Sequence, residues 1–372
     1  MSQNDSLYSV GESKLDDPKI LLLKYKERFD GVLEEYLKRK IEEFNKVSDF
    51  AGKFTSDLAE FTLRGGKRFR PALIYYSYKL FGGSNETEIL KLSMFIELIQ
   101  SFLLIHDDIM DRAMLRRGGT TIHKIYEKYS SDENFKDDVH FGMTMGILSG
   151  DLANQLALEI ISESDFPLDR KNKLLNIVAT EISKVCFGQI HDILLNYDFP
   201  KGYQEADILK VHLYKTATYT YRLPLFAGAV LAGATDEELK TLDEYAVPSG
   251  IAFQIRDDVL GVFGDSEETG KENKGDIMEG KKTLLVTEAY RKGSSEDKEV
   301  LKKLLGKKDL TDSEAEEVRA IFQKLGALEY SKTECQRQVE KARMALQVFS
   351  NKDKEAFEFL DCVANYMVIR NV

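Results

Sequence analysis

Proline and cysteine are both scarce in this chain: six prolines and three cysteines in 372 residues. So few prolines leave long stretches without the residue that removes a backbone donor and breaks helices. No Pro/Gly/Ser-rich stretch marks a linker where the chain would divide. Cys186, Cys335 and Cys362 lie far apart and without metal-type spacing, so they read as reduced thiols of a cytoplasmic protein. A convincing alternating strand series is missing, as are a Walker P-loop, a GxGxxG turn, an HExxH pair and any Ser-His-Asp or Cys-His order. Residues 1–18 lack the charged start and apolar run of a signal peptide and read as a loose tail. No segment reads as long and apolar enough to span a bilayer. TYRLPLFAGAVLAGA comes nearest and is interrupted by Arg222. A net charge of −11 speaks against nucleic acid as the main partner, although a local basic cluster can still recognise an anion.

What is present is helical periodicity. Hydrophobic residues make up 43% of the chain, and apolar positions recur at spacings near three and four, which predicts an all-α fold with one domain over residues 19–372. Ile20 to about Val47 reads as an amphipathic surface helix. Gly65-Gly66 breaks the pattern and Pro71 opens the next helix. Leu92 to Met110 reads as a buried central helix, SSDENFKDD as a charged surface loop, and Met143–Ile161 and Leu174–Asn196 as helices. Ile208–Ala234 reads as a helix broken near Pro224, and Leu242–Val262 as a second buried helix. The polar run GDSEETGKENKGDIMEGKKT is expected to be a loop near the site or a mobile flap. Thr311 with Glu314 forms a candidate capping box, and Tyr330–Gln347 and Glu355–Ile369 complete the bundle.

Two aspartate clusters end the two buried helices: Asp107, Asp108 and Asp111 in SFLLIHDDIMDRAMLRRGG, and Asp257 with Asp258 in IAFQIRDDVLGVFGD. Asp107 and Asp111 are four apart and share a helix face, while Asp108 points about a quarter turn away. Carboxylates at the end of apolar helices are costly unless a cation lies between them, and hard oxygen ligands suit magnesium. A DDxxD string by itself is as compatible with a solvated acidic turn, but the apolar run ahead of it favours a site. Arg116-Arg117-Gly118-Gly119 follows at once, with arginines shaped for phosphate. Upstream, Gly65-Gly66-Lys67-Arg68-Phe69-Arg70-Pro71 joins three cations to a flexible turn, either an anion cradle or an ordinary basic loop. Lys215, Thr216, Lys271 and Lys281 flank the second cluster in sequence. Together these groups describe a site holding a polyanionic phosphate through metals and direct contacts. None of His106, His123, His140, His191 and His212 is assigned as a base, and Gln189 and Asp192 are left without a role.

In this order, GGKRFRP, ELIQSFLLIHDDIMDRAMLRRGG, GILSGD, FGQIHD, YKTA, FQIRDD and DIMEGKKT resemble the motifs of the trans-isoprenyl diphosphate synthases, the polyprenyl synthetase family, from about residue 20 to the C-terminus. The resemblance implies an isoprenoid synthase-type helical bundle around a deep central cavity, with the aspartate motifs facing each other, usually in a homodimer. It implies magnesium, three ions per active site, with manganese as an alternative. The allylic diphosphate (dimethylallyl, geranyl or farnesyl) ionises, isopentenyl diphosphate attacks head to tail, and the released diphosphate takes the proton, which would explain why no general base stands out.

Carried over by position, Asp107, Asp111 and Asp257 match metal ligands, supported by Asp108 and Asp258. Lys67, Arg70, Gln100 and Arg117 match the isopentenyl diphosphate site. Arg116, Lys215, Thr216, Gln254, Lys271 and Lys281 match the allylic diphosphate site. Gly261 stands where the family usually has a third aspartate in the second motif. Phe102 and Leu103, five and four places before Asp107, resemble the pair of archaeal-type geranylgeranyl diphosphate synthases, with Ile99 and Ile96 as the next layers. The expected product is therefore C20, with farnesyl (C15) or farnesylgeranyl and longer diphosphates as alternatives. A class I terpene cyclase or a non-catalytic partner subunit fits the motif series less well. No membrane anchor is expected.

Overall fold

The helix that ends in the first acid cluster is buried along most of its length, and the architecture is easiest to follow from it. A computed structural model describes residues 18–197, 204–264 and 274–369. α1 (Pro18–Asn45), α2 (Asp49–Leu63), α3 (Phe69–Leu80) and α4 (Glu86–Leu92) lead to α5 (Met94–Met110). Phe95, Ile96, Leu98 and Ile99 of α5 are fully buried, which ties the aspartates at its end to the core. α6 (Ile122–Asp132), α7 (Asp138–Glu163) and α8 (Leu168–Tyr197) follow, with α5 and α6 packed along α7. α9 (Glu205–Val211) runs into a π-helical segment, His212–Arg222, and then into α10 (Leu223–Ala232). α11 (Asp236–Phe263) is opened by a capping box between Thr235 and Glu238 and carries the second acid cluster near its end. The remaining helices are α12 (Gly275–Glu279), α13 (Leu284–Lys292), α14 (Ser295–Leu304), α15 (Asp312–Lys324), α16 (Ala327–Leu346) and α17 (Lys354–Ile369).

One large apolar cluster joins α1 to α11 with α16 and α17. A smaller one is built by Val259 and Val262 of α11, Ile277 of α12 and residues of α13, α14 and α15. Tyr126, Tyr221, Tyr245, Phe29, Phe95, Phe322 and Phe359 are among the largest fully buried side chains. Each contributes roughly 1.5–3 kcal/mol of burial free energy before the entropy of ordering is set against it.

Most of the expected helices are present, and Thr311 with Glu314 does form a capping box. Four readings change. Pro224 breaks nothing: it lies in the first turn of α10, and the irregularity is the π-helix before it. The Arg-Arg-Gly-Gly run is a two-stranded antiparallel ribbon, Leu115–Arg116 against Gly119–Thr120, turned by Arg117 and Gly118 with φ of 51° and 75°. The polar run after α11 contains α12, while residues 265–273 lie outside the described residues, as do residues 1–17 of the expected tail. Finally, one run does reach the length and apolarity of a membrane span, Glu86–Met110, though most of its most apolar window is buried in the core.

Candidate active site

The π-helix joins the two acid clusters. Its residues meet α11 in an antiparallel ladder. Thr216 Oγ1 donates to Gln254 Oε1 at 2.6 Å, and His212 Nε2 lies 2.9 Å from Asp258 Oδ2. One turn further, Ala217 packs onto Gly250, where a Cβ would stand 2.5 Å from Ala217 Cα. On the other side Gly188 of α8 admits the same segment, since a Cβ there would stand 2.6 Å from the Tyr214 carbonyl carbon. Held between two glycine-bearing helices, the segment turns Lys215 the opposite way, toward α5 and α8. Lys215 Nζ lies 2.5 Å from Asp192 Oδ2 and 3.7 Å from Asp107 Oδ1. Burial alone would lower the Lys215 pKa, but Asp192 and Asp107 outweigh it and hold the ammonium charged.

Around the first cluster, Arg116 Nε donates to Asp108 Oδ1 at 2.7 Å and its NH2 lies 3.6 Å from Asp107 Oδ2. Gln189 Nε2 donates to Asp107 Oδ1 at 3.2 Å. Asp108 is buried, and burial pushes its carboxyl up to about 6 against the pull of Arg116. Withdrawal from bulk water and then the Asp107 charge push Asp111 up to about 7. In the second cluster, Asp258 accepts from Gln254 Nε2 at 2.7 Å and from Lys281 Nζ at 2.8 Å as well as from His212. Burial opposes its ionisation, yet Lys281 and His212 hold the carboxyl well below its usual range. Lys281 also lies 3.5 Å from Asp276 Oδ2. Burial raises Asp276 to about 6.

The cations of GGKRFRP divide into two kinds. Arg68 is buried, and its guanidinium is taken by Asp30 of α1 at 2.6 Å and by Glu97 of α5, so it is a structural ion pair. Arg70 faces neutral partners: Gln100 Oε1 at 2.8 Å, Thr220 Oγ1 at 2.9 Å and Tyr219 Oη at 3.1 Å, with the Tyr219 ring 4.6 Å from its guanidinium carbon. Arg117 lies against Gly66, its NH1 donates to the Arg64 carbonyl at 3.4 Å, and burial and the nearby Arg70, Arg68 and Arg116 lower its pKa. A guanidinium held by neutral oxygens keeps its charge available to an anion. Lys67 follows Gly66 on the same turn and is exposed. Phe102 and Leu103 are half-buried, Ile99 and Ile96 fully buried below them, and the Phe102 ring stands edge-on to His106 at 4.9 Å.

The structure brings Asp107, Asp108, Arg116 and Lys215 together at the first cluster, Thr216, Gln254, Asp258 and Lys281 at the second, and Arg70 against Gln100, while Lys271 lies outside the described residues. Sequence reasoning left out Gln189, Asp192, His212, Tyr219, Thr220 and Asp276. The i, i+3 pair Gln189 and Asp192 in FGQIHD and Asp276 at the head of DIMEGKKT are the local signals for three of them. Among the described residues no three acidic or imidazole groups converge as a ready cation cage. The donors nevertheless fit a hard divalent cation. They are all oxygens on two facing walls, Asp111 is strained by Asp107, and Asp108 Oδ2 lacks a hydrogen-bond partner. Such a site shares each ion among one or two carboxylates, waters and an anionic ligand.

A helical bundle with two carboxylate walls joined by lysines and arginines defines a class of protein that grips a polyphosphate through divalent cations. Comparison with known sequences narrows it. The sequence profile described as polyprenyl synthetase matches residues 53–325. The chain is 33% identical over 306 residues to the geranylgeranyl diphosphate synthase of Methanosarcina mazei, covering 82% of this chain and 86% of that one. It is 34% identical over 313 residues to the geranylfarnesyl diphosphate synthase of Aeropyrum pernix, covering 82% and 91%. Among solved structures it is similar to the geranylgeranyl pyrophosphate synthase of Corynebacterium glutamicum complexed with isoprenyl diphosphate and magnesium, with a TM-score of 0.87 and 29% identity over 96% of this chain and 100% of that one. The chain belongs to the polyprenyl synthetase family. It is an isoprenyl diphosphate synthase, a trans-prenyltransferase.

Proposed function

We propose that the enzyme condenses isopentenyl diphosphate head to tail with an allylic diphosphate and releases geranylgeranyl diphosphate, C20, from one catalytic domain spanning residues 19–372. The observation that carries the reading is the separation of the cations into two sets. Arg116, Lys215 and Lys281 are paired to the aspartate clusters, whereas Arg70 and Arg117 are held by neutral oxygens. The first set, with Thr216, Gln254 and Lys271, takes the allylic diphosphate. The second, with Lys67 and Gln100, takes isopentenyl diphosphate, which needs no metal. Magnesium, when bound by Asp107, Asp111 and Asp257, supplies the positive charge that makes diphosphate a leaving group. A solved relative bound to magnesium and isoprenyl diphosphate supports magnesium as the ion.

The chain's own groups do the rest. Asp108 holds Arg116 over the first wall, and Asp192 holds Lys215 between the walls, so both cations meet the departing diphosphate already oriented. Asp258 keeps Lys281 charged in the same way. As the allylic C–O bond breaks, its electron pair leaves with the diphosphate. The isopentenyl double bond forms the new C–C bond, and the proton lost goes to the diphosphate oxygen. Phe102 at the wall of the growing chain sets the stop.

A second copy of the chain is supported by exposed Val139, Met143 and Ile147, spaced by one turn along α7 and unpartnered in the single chain. Three free cysteines support a reducing, cytoplasmic setting. The test is incubation of the purified enzyme with labelled isopentenyl diphosphate, farnesyl diphosphate and magnesium, followed by product chromatography. C20 is expected, and either no labelled product, as from a C15 synthase, or a predominantly C25 product refutes the length assignment. Phe102→Ala removes about six side-chain carbons against about five in an isoprene unit, so one further addition is expected. An unchanged product would place the stop on another residue.

A further inference from the structure

Gly261 occupies the place of the third acid in the second cluster, and the structure shows what stands there instead. A Cβ built on Gly261 would overlap Asp276 Oδ2 and stand 2.5 Å from Asp276 Cγ. The missing side chain is thus a notch in α11, and a carboxylate from α12 fills it. We propose that Asp276, seated in this notch, is the third carboxylate of the second cluster and the positioning residue for Lys281. The proposal rests on the reading of Lys281 as a contact to the allylic diphosphate.

The geometry is set by the backbone. α12 ends at Gly280, whose φ of +70° turns the chain back on itself, and the Lys281 N–H donates to the Asp276 carbonyl at 3.0 Å. The turn is anchored beneath by Gly306, whose N–H donates to the Ile277 carbonyl at 2.9 Å, and by Ile277, buried in the second core. Lys281 therefore reaches the cleft from a fixed hairpin, with its ammonium between Asp258 Oδ1 at 2.8 Å and Asp276 Oδ2 at 3.5 Å. An ammonium has three donors. One is given to Asp258, and the Asp276 charge on the other side holds the ammonium between the two carboxylates. Asp276 Oδ2 makes no hydrogen bond of its own, so its contribution to Lys281 is charge and shape rather than a bond that a neutral amide would reproduce. A side chain on Gly261 would displace the Asp276 carboxylate from this seat.

The test uses Asp276→Asn, which keeps the shape and removes the charge, the exchange variant Gly261→Asp/Asp276→Gly, and Lys281→Ala. Steady-state constants are measured for both substrates, and binding of an unreactive allylic thiodiphosphate with magnesium is measured by calorimetry on protein whose thermal unfolding is checked. Asp276→Asn is expected to raise the allylic KM and the analogue Kd about tenfold while moving the isopentenyl KM less than about twofold. The exchange variant, which returns a carboxylate to the same space from α11, is expected to recover most of that loss. The proposal is overturned if Asp276→Asn leaves the allylic KM unchanged while Lys281→Ala raises it, or if Asp276→Asn impairs both substrates equally. If Lys281→Ala itself leaves allylic binding unchanged, the assignment of Lys281 fails first and the proposal fails with it.

Discussion

Lowering the pH from 8 to 6 should weaken divalent cation binding about tenfold, and the reason lies in one carboxyl group. Asp111 is pushed up to about 7 by its withdrawal from water and by the Asp107 charge one helical turn away. A carboxylate must lose its proton before it can ligate. With a pKa of about 7, roughly a tenth of Asp111 is protonated at pH 8 and roughly nine-tenths at pH 6, so the competent fraction falls about tenfold. Calorimetric titration of magnesium into the enzyme at pH 6, 7 and 8, in buffers of different ionisation heat, reads both the affinity and the proton released. Near pH 7 about half a proton should leave for each ion bound at this site. Asp111→Asn should bind magnesium weakly and without pH dependence. Asp107→Asn should move the Asp111 titration to lower pH, because it removes the like charge. Equal affinity at pH 6 and pH 8, or an Asp111→Asn enzyme that keeps the full dependence, would refute the reasoning.

Stability of the metal-free enzyme should move with pH through Asp108. Its folded-state pKa is raised to about 6, so its stabilising share is present below the ordinary carboxylate value and is lost as the pH rises through about 6. Between pH 5 and pH 7.5 the Asp108 share is about 1 kcal/mol in urea unfolding, beside those of Asp111 and Asp276, which are raised as well, and Asp108→Asn should make the slope shallower by that share. Asp258 has a lowered folded-state pKa, so its stabilisation is present above the ordinary carboxylate value and does not change over that window. Asp258→Asn should cost about 3–5 kcal/mol, because it leaves the Lys281 charge in the cleft without its nearest carboxylate. An unfolding midpoint within error of the parent would sink that account. Arg68→Met should cost a similar amount, about 3–5 kcal/mol, by stranding buried Glu97, while the KM values of the folded fraction stay near those of the parent. A raised isopentenyl KM with unchanged stability would show that Arg68 contacts substrate after all.

The acid clusters were legible in the sequence because each lies near the end of a helix rich in apolar residues, and such a helix is buried wherever it ends up. The same holds for GGKRFRP as an element, where two glycines announce a turn and the cations follow. The roles within it were not legible. Arg68 and Arg70 are two residues apart in one run and are chemically identical, yet one is spent on Asp30 and Glu97 while the other faces Gln100, Tyr219 and Thr220. Only the positions of α1, α5 and the π-helix separate them. The π-helix itself has no local signal, since Pro224 drew attention to the wrong residue. Its register depends on Gly188 and Gly250, which come from two other helices.

The order of the motifs therefore determined the family, the helical class and the two acid walls by sequence alone, because those properties follow from residue type and spacing along single helices. Tertiary structure decided which charges meet. It placed Lys215 between the walls, assigned His212 and Lys281 to Asp258, and brought Asp276 into the space left by Gly261. Each of these pairings joins residues on different helices or on different turns of a bend. Its sign and strength depend on distances of a few ångströms and on the exclusion of water, and no periodicity in a single chain encodes either.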